Sequence, residues 1–141
     1  MRIKRRAGEE ALSEEEIIER RRRIEAAREL LSSYRLCLDM LNLRKYERKR
    51  AYRYAEEVEA TDLFEGNEVY WRARMNEISS LISAMRNSRE KVLLYYHYIR
   101  GESIEHVADH MDVSRRTGYR LHERGLHSVG IMMERIRKGT L

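Results

Sequence analysis

The chain has 141 residues, 42% of them apolar and 38% charged, with no proline and a net charge of +5. That suffices for one modest domain, or a small domain with an extended helical arm, and excludes a second enzyme-sized domain. High charge without proline favours long solvated helices, so composition points to an all-α fold, and the basic balance is compatible with a polyanionic partner.

Residues 1–12 mix charges without periodicity and read as a flexible basic tail, although Lys4, Arg5 and Arg6 can reach a phosphate backbone. They lack the apolar run of a signal peptide, and no stretch approaches the length of a bilayer span, so no membrane partner is expected. Ser13 followed by Glu16 is a capping box, with acids at 14, 15 and 16 suited to the positive end of a helix. From there Ile17, Ile24, Leu31 and Leu38 recur every seven residues, with Ala27, Tyr34 and Leu41 as a companion row. This is a heptad seam on a long helix running to about residue 59. Cys37 is the only cysteine; it excludes an intramolecular disulfide, suits a reducing compartment and reads as a small buried hydrophobe.

Past Leu41 the seam gives way to basic residues interleaved with tyrosines between 44 and 54. Such a stretch can track a nucleic-acid backbone, or it can be the solvated face of a helix whose tyrosines cover a neighbour; the second reading is favoured. Residues 56–68 then carry six acids and no base, and Gly66 with Asn67 marks a turn near 61–67. A second helix is expected over 68–86, its apolar stripe made by Trp71, Met75, Ile78, Leu81, Ile82 and Met85, folding back on the first. Residues 13–86 thus read as a helical arm whose unfilled seam favours a homodimer or higher homo-oligomer. A hairpin within one chain and helices pairing between chains both satisfy the pattern.

Residues 87–141 read as a helix-turn-helix DNA-binding domain. Ser88 is expected to cap a helix that packs Val92, Leu93, Tyr96 and Ile99 toward the motif. Gly101 ends that helix, and Ser103 caps the next. Ile104, Val107, Met111, Val113 and Leu121 fall where two short crossed helices must meet, and Ala108 sits where only a small side chain lets them approach. After a turn through Asp112 and Val113, Ser114 caps a helix suited to the major groove that continues through Ile136. Its outer face presents Ser114, Arg115, Arg116, Thr117, Tyr119, Arg120, Glu123 and Arg124. Guanidinium forks pair with a guanine edge or grip phosphate, and hydroxyls donate to phosphate oxygens, so Arg115, Arg116 and Arg120 lead the candidates. Ser103, His122, Arg137 and Lys138 are candidates for backbone contacts.

Two positions depart from the motif. Asp112 stands where glycine is common, which is tolerable because Asp visits the left-handed region. Gly118 occupies a slot that usually holds a branched aliphatic residue, at a cost of about 1 kcal/mol relative to Ala. With Gly125 it would form a flat strip for Tyr95, Tyr96 or Tyr98. His106 and His110 have the spacing of a two-histidine zinc site, but no third ligand converges on them, so no metal or cofactor is expected. Without a phosphate-cradling glycine loop, a CxxC or a known Ser/His/Asp spacing, neither is enzyme activity.

The stretch LLYYHYIRGESIEHVADHMDVSRRTGYRLHERGL resembles the fourth region of sigma factors and, more closely, phage transcriptional regulators of the ArpU and RinA type. An aromatic helix, a glycine, a scaffold helix and a recognition helix ending in Arg120, Leu121, His122, Glu123, Arg124, Gly125 and Leu126 stand in that family's order, over about residues 88–130. Gly118 and Gly125 replace residues that are usually larger there. The resemblance implies a bacterial or phage origin, a place in the bacterial cytoplasm, and sequence-specific binding of double-stranded DNA at phage promoters, often late ones. It leaves RNA polymerase open as a further partner. Two rivals stand beside it: a small terminase subunit that marks phage DNA for packaging, and a protein-interaction module whose helix-turn-helix does not bind DNA. A ring of eight or more subunits would indicate the terminase, a dimer or tetramer the regulator.

Overall fold

The first helix, α1 (Glu14–Arg53), starts where Ser13 Oγ accepts the Glu16 backbone N–H at 3.2 Å, ahead of three acids in its first turn. The computed structural model describes residues 12–53 and 59–139, with the side chains of 51–66 left aside, so Lys4, Arg5 and Arg6 lie outside the described residues. All described elements are helices. At 40 residues α1 is about 60 Å long. Its seam buries Ile24, Ala27 and Leu31 as the heptad requires, joined by Leu30 and Cys37, while Ile17 is exposed.

The second helix, α2 (Glu59–Ser83), begins earlier than the sequence suggests: the turn expected at 61–67 is helical, and Gly66 and Asn67 lie within it. Gly and Asn weaken a helix by about 1 kcal/mol or less each, a cost that extension of a long flanking helix absorbs, whereas no proline is present to forbid it. The apolar stripe of α2 buries Ile78, Leu81 and Ile82, with Met85 just beyond its end. Farther out, Glu68 is buried between Arg48, 2.5 Å from its carboxylate, and Arg44, 3.9 Å away. The basic stretch of α1 therefore has an inward side, with Arg44 buried, where a solvated face is expected from the sequence.

Helix α3 (Ser88–Leu94) is capped by Asn87, not Ser88: Asn87 Oδ1 accepts the Glu90 N–H at 3.0 Å. It runs on into a π-helical turn, Tyr95–Ile99. Leu93, Leu94 and Tyr98 are buried while Val92 and Tyr96, expected inside, are exposed; with Glu90 the buried positions step by three and four residues, so the inward face lies to one side of the expected row. Gly101, at φ +76°, then turns the chain, and the Arg35 guanidinium of α1 sits beside it while donating to the Ile99 carbonyl at 3.1 Å.

Helix α4 (Ile104–His110) is capped by Ser103, whose Oγ accepts the His106 N–H at 3.1 Å. The turn after it places Asp112 at φ +58°. Helix α5 (Arg115–Arg137) is capped by Ser114, whose Oγ accepts the Thr117 N–H at 3.1 Å, and continues unbroken for 23 residues. One apolar cluster takes Ile24, Ala27 and Leu31 from α1, Ile78 and Ile82 from α2, Leu94 from α3 and Leu126 and Val129 from α5. Positions on either side of residue 87 thus share a core. A smaller cluster of Leu93, Ile104, Val107 and Leu121, flanked by Met111, seats α4 on α5.

Candidate nucleic-acid interface

Ile104, Val107 and Leu121 bury the meeting faces of α4 and α5, which turns the opposite face of α5 outward. Ser114, Arg115, Arg116, Tyr119, Arg120, Glu123 and Arg124 are all exposed, and Thr117 is half-buried beneath the Ser114 hydroxyl, which donates to its Oγ1 at 2.9 Å. The cap geometry leaves the first N–H groups of α5 at the same end as Arg115 and Arg116, where positive dipole and guanidinium charge add.

Gly118 sets how close the two helices come. A Cβ there would lie 2.9 Å from Ala108 Cβ and 3.5 Å from Ile104 Cγ2, so Gly118 and Ala108 are the paired small residues of the crossing. The strip of Gly118 and Gly125 does not receive a tyrosine: Gly125 faces Leu94, whose Cδ1 would lie 3.0 Å from an added Cβ. Tyr95 and Tyr96 are exposed, and Tyr98 turns elsewhere.

The hydroxyl of Tyr119 is engaged by a residue that no motif or periodicity singles out. It donates to the carboxylate of Glu105 on α4. That bond is the main reason the Glu105 carboxyl lies below its usual range and the Tyr119 phenol above its own. Tyr119 thus ties the outer face of α5 to the scaffold helix, and its proton is committed within the protein. The spacing from Glu105 to Tyr119 crosses the turn, which is why helical periodicity could not reveal the pair.

His122 also faces inward. Its Nε2 is hydrogen-bonded to Tyr98 Oη at 2.6 Å, and the two rings stack with centroids 5.6 Å apart. Burial, then the nearby charges of His97 and Arg28, lowers the His122 pKa to about 4, while burial pushes the Tyr98 phenol up to about 12. The pair is a neutral phenol hydrogen-bonded to a neutral imidazole. Ser103 is exposed at the start of α4. Arg137 and Lys138 lie about 33 Å along α5 from Arg115, beside Arg22 and Arg23 of α1. They cannot enter the same stretch of groove as Arg115. His106 and His110 stack edge to face at 4.4 Å, and among the described residues no group of three or more His, Cys, Asp or Glu could hold a metal. No described helix is long and apolar enough to cross a membrane.

These features define a small all-α protein in which a long helix and its partner share one core with a capped helix, turn and helix unit. The chain belongs to the family described as protein of unknown function DUF1492, whose model matches residues 30–129, from the middle of α1 into the second half of α5. No curated protein and no solved structure matches it.

Proposed function

We propose that the chain is a sequence-specific double-stranded-DNA-binding transcription regulator of the ArpU and RinA type, encoded by phage or prophage and acting on phage promoters. The observation that carries the proposal is the outer face of α5. Arg115, Arg116 and Arg120 stand exposed directly after a Ser114-capped N-terminus, on a helix fixed to α4 through the close pair Gly118 and Ala108. Arginine forks on the first two turns suit guanine edges and flanking phosphates, and the free N–H groups of the helix end suit a phosphate. A second copy would join through α1, where Leu36, Leu43 and Tyr46 are exposed along one side, and present two such helices to two half-sites.

Selection from random duplexes with the wild-type protein, followed by binding of the selected site at several salt concentrations, tests the proposal. Joint replacement of Arg115, Arg116 and Arg120 by Ala should abolish preference for the selected site. It should also flatten the dependence of log affinity on log salt by about 2 to 3, close to one per lost phosphate contact. Retention of both by the triple variant would overturn the proposal.

A further inference from the structure

Residues 116, 120, 123 and 127 share one face of α5, because steps of four, three and four residues return to the same side of a helix. Along that face Arg116, Arg120 and Glu123 are exposed, and the next position holds the half-buried ring of His127. Here α1 crosses α5 closely. The Arg23 carbonyl oxygen lies only 2.5 Å from where a Cβ on Gly130 would stand, and Arg23 Nε is 3.0 Å from the Glu134 carboxylate.

The crossing carries Arg20 onto the α5 row. Its guanidinium lies 3.4 Å from His127 Nδ1. A guanidinium only donates and stays charged, so the ring nitrogen accepts and the imidazole is neutral. Burial and then the charges of Arg20 and Arg23 hold the His127 pKa below its usual value, in keeping with that assignment. His127 therefore seats a fixed cation about 16 Å along the axis from Arg116. The major groove is about 12 Å wide, so a helix whose first turns occupy it brings a point 16 Å farther along to the bordering phosphates. Arg20 is itself only half-buried and keeps a side toward solvent.

Taking α5 as the groove helix of the proposed function, we infer that Arg20 on α1 is a phosphate-contacting residue of the DNA interface, docked by His127 at the end of the α5 arginine row. The long helix then takes part in binding directly, besides packing the core.

The test is the salt dependence of duplex binding by the full chain. Compared are wild type, Arg20→Ala, Arg20→Gln, which keeps the apolar stem, Arg20→Lys, and Arg21→Ala as a neighbouring charge deletion. Arg20→Ala and Arg20→Gln should each flatten the log affinity against log salt slope by about 1, and weaken selected and unrelated duplexes by the same factor, about 5- to 20-fold. Arg20→Lys should retain the wild-type slope, and Arg21→Ala should change it little. Thermal unfolding checks that each variant remains folded. Wild-type slope in a folded Arg20→Gln protein would refute the role of Arg20 while leaving the α5 reading intact; absence of duplex binding by the wild type would refute both.

Discussion

Of the described glycines Gly130 has the nearest neighbour, the α1 backbone, and Gly130→Ala should destabilise the protein by about 1 to 2 kcal/mol. The added Cβ would meet the Arg23 carbonyl oxygen at 2.5 Å and Arg23 Cβ at 2.7 Å, where ordinary contact begins at 3.4 Å. Relief requires α1 to withdraw from α5 by most of an ångström, because the obstacle is backbone. A gap of that size forfeits roughly a quarter to a half of the dispersion energy between the lining atoms. Overpacking costs about 1–3 kcal/mol, a backbone obstacle falls in the upper part of that range at about 2–3, and the better helix propensity of Ala returns about 1. Gly125→Ala is the informative contrast. Its Cβ would meet Leu94 Cδ1 at 3.0 Å and Cγ at 3.1 Å, a side chain that need give only a few tenths of an ångström, so the propensity gain should leave stability within about 0.5 kcal/mol of wild type. Gly118→Ala, facing the immovable Ala108 Cβ at 2.9 Å, should fall between them. Urea unfolding midpoints at constant slope give the order directly. A Gly130→Ala protein as stable as wild type would show that the α1 and α5 backbones do not approach as described.

The depressed His122 pKa gives stability a pH dependence of definite sign. In the folded protein the ring stays neutral down to about pH 4, whereas the unfolded chain takes up a proton near 6.5. Stability is therefore fully present above 6.5 and is lost as pH falls toward 4, by about 1–2 kcal/mol after allowance for the ring's partial contact with water. Thermal melts across that range should show the slope, and His122→Gln should flatten it; an unchanged slope would contradict the assignment. Asp112, at φ +58°, should gain up to about 1 kcal/mol from replacement by Gly and lose stability on replacement by Val, as read from unfolding midpoints. Glu68→Ala should cost about 2–4 kcal/mol, since it removes the buried carboxylate that faces Arg44 and Arg48. A loss below 0.5 kcal/mol would place that cluster in water.

The helices themselves were legible because their signals are local. Ser13, Ser103 and Ser114 each accept the backbone N–H three residues on, as their positions before apolar periodic runs require. The buried face of α4 and the outward face of α5 follow from 3.6-residue periodicity alone, and even the left-handed turn at Asp112 was written in the spacing between two capped helices. Local signals were ambiguous where two neighbours competed, as with Asn87 against Ser88 for the cap of α3.

Other features depended on residues far apart in sequence. Periodicity gave α1 a seam but not its occupant, which includes α5 at a crossing that Gly130 makes possible. No residue announces the π-helical turn at Tyr95–Ile99, and the inward row of the aromatic helix was set by the α1, α2 and α5 side chains that meet Leu94 and Tyr98. His122 and Tyr119 look alike as polar residues on one helix, yet one bonds to Tyr98 of the π-helical turn and the other to Glu105 of α4. The sequence by itself determined the all-helical class, the caps at Ser13, Ser103 and Ser114 and the arginine-bearing face, since each depends on interactions within a few residues. Only the tertiary structure decided which polar groups on that face are committed inside the protein and which helix, through Arg20, extends it, because those outcomes rest on contacts between segments up to 107 residues apart.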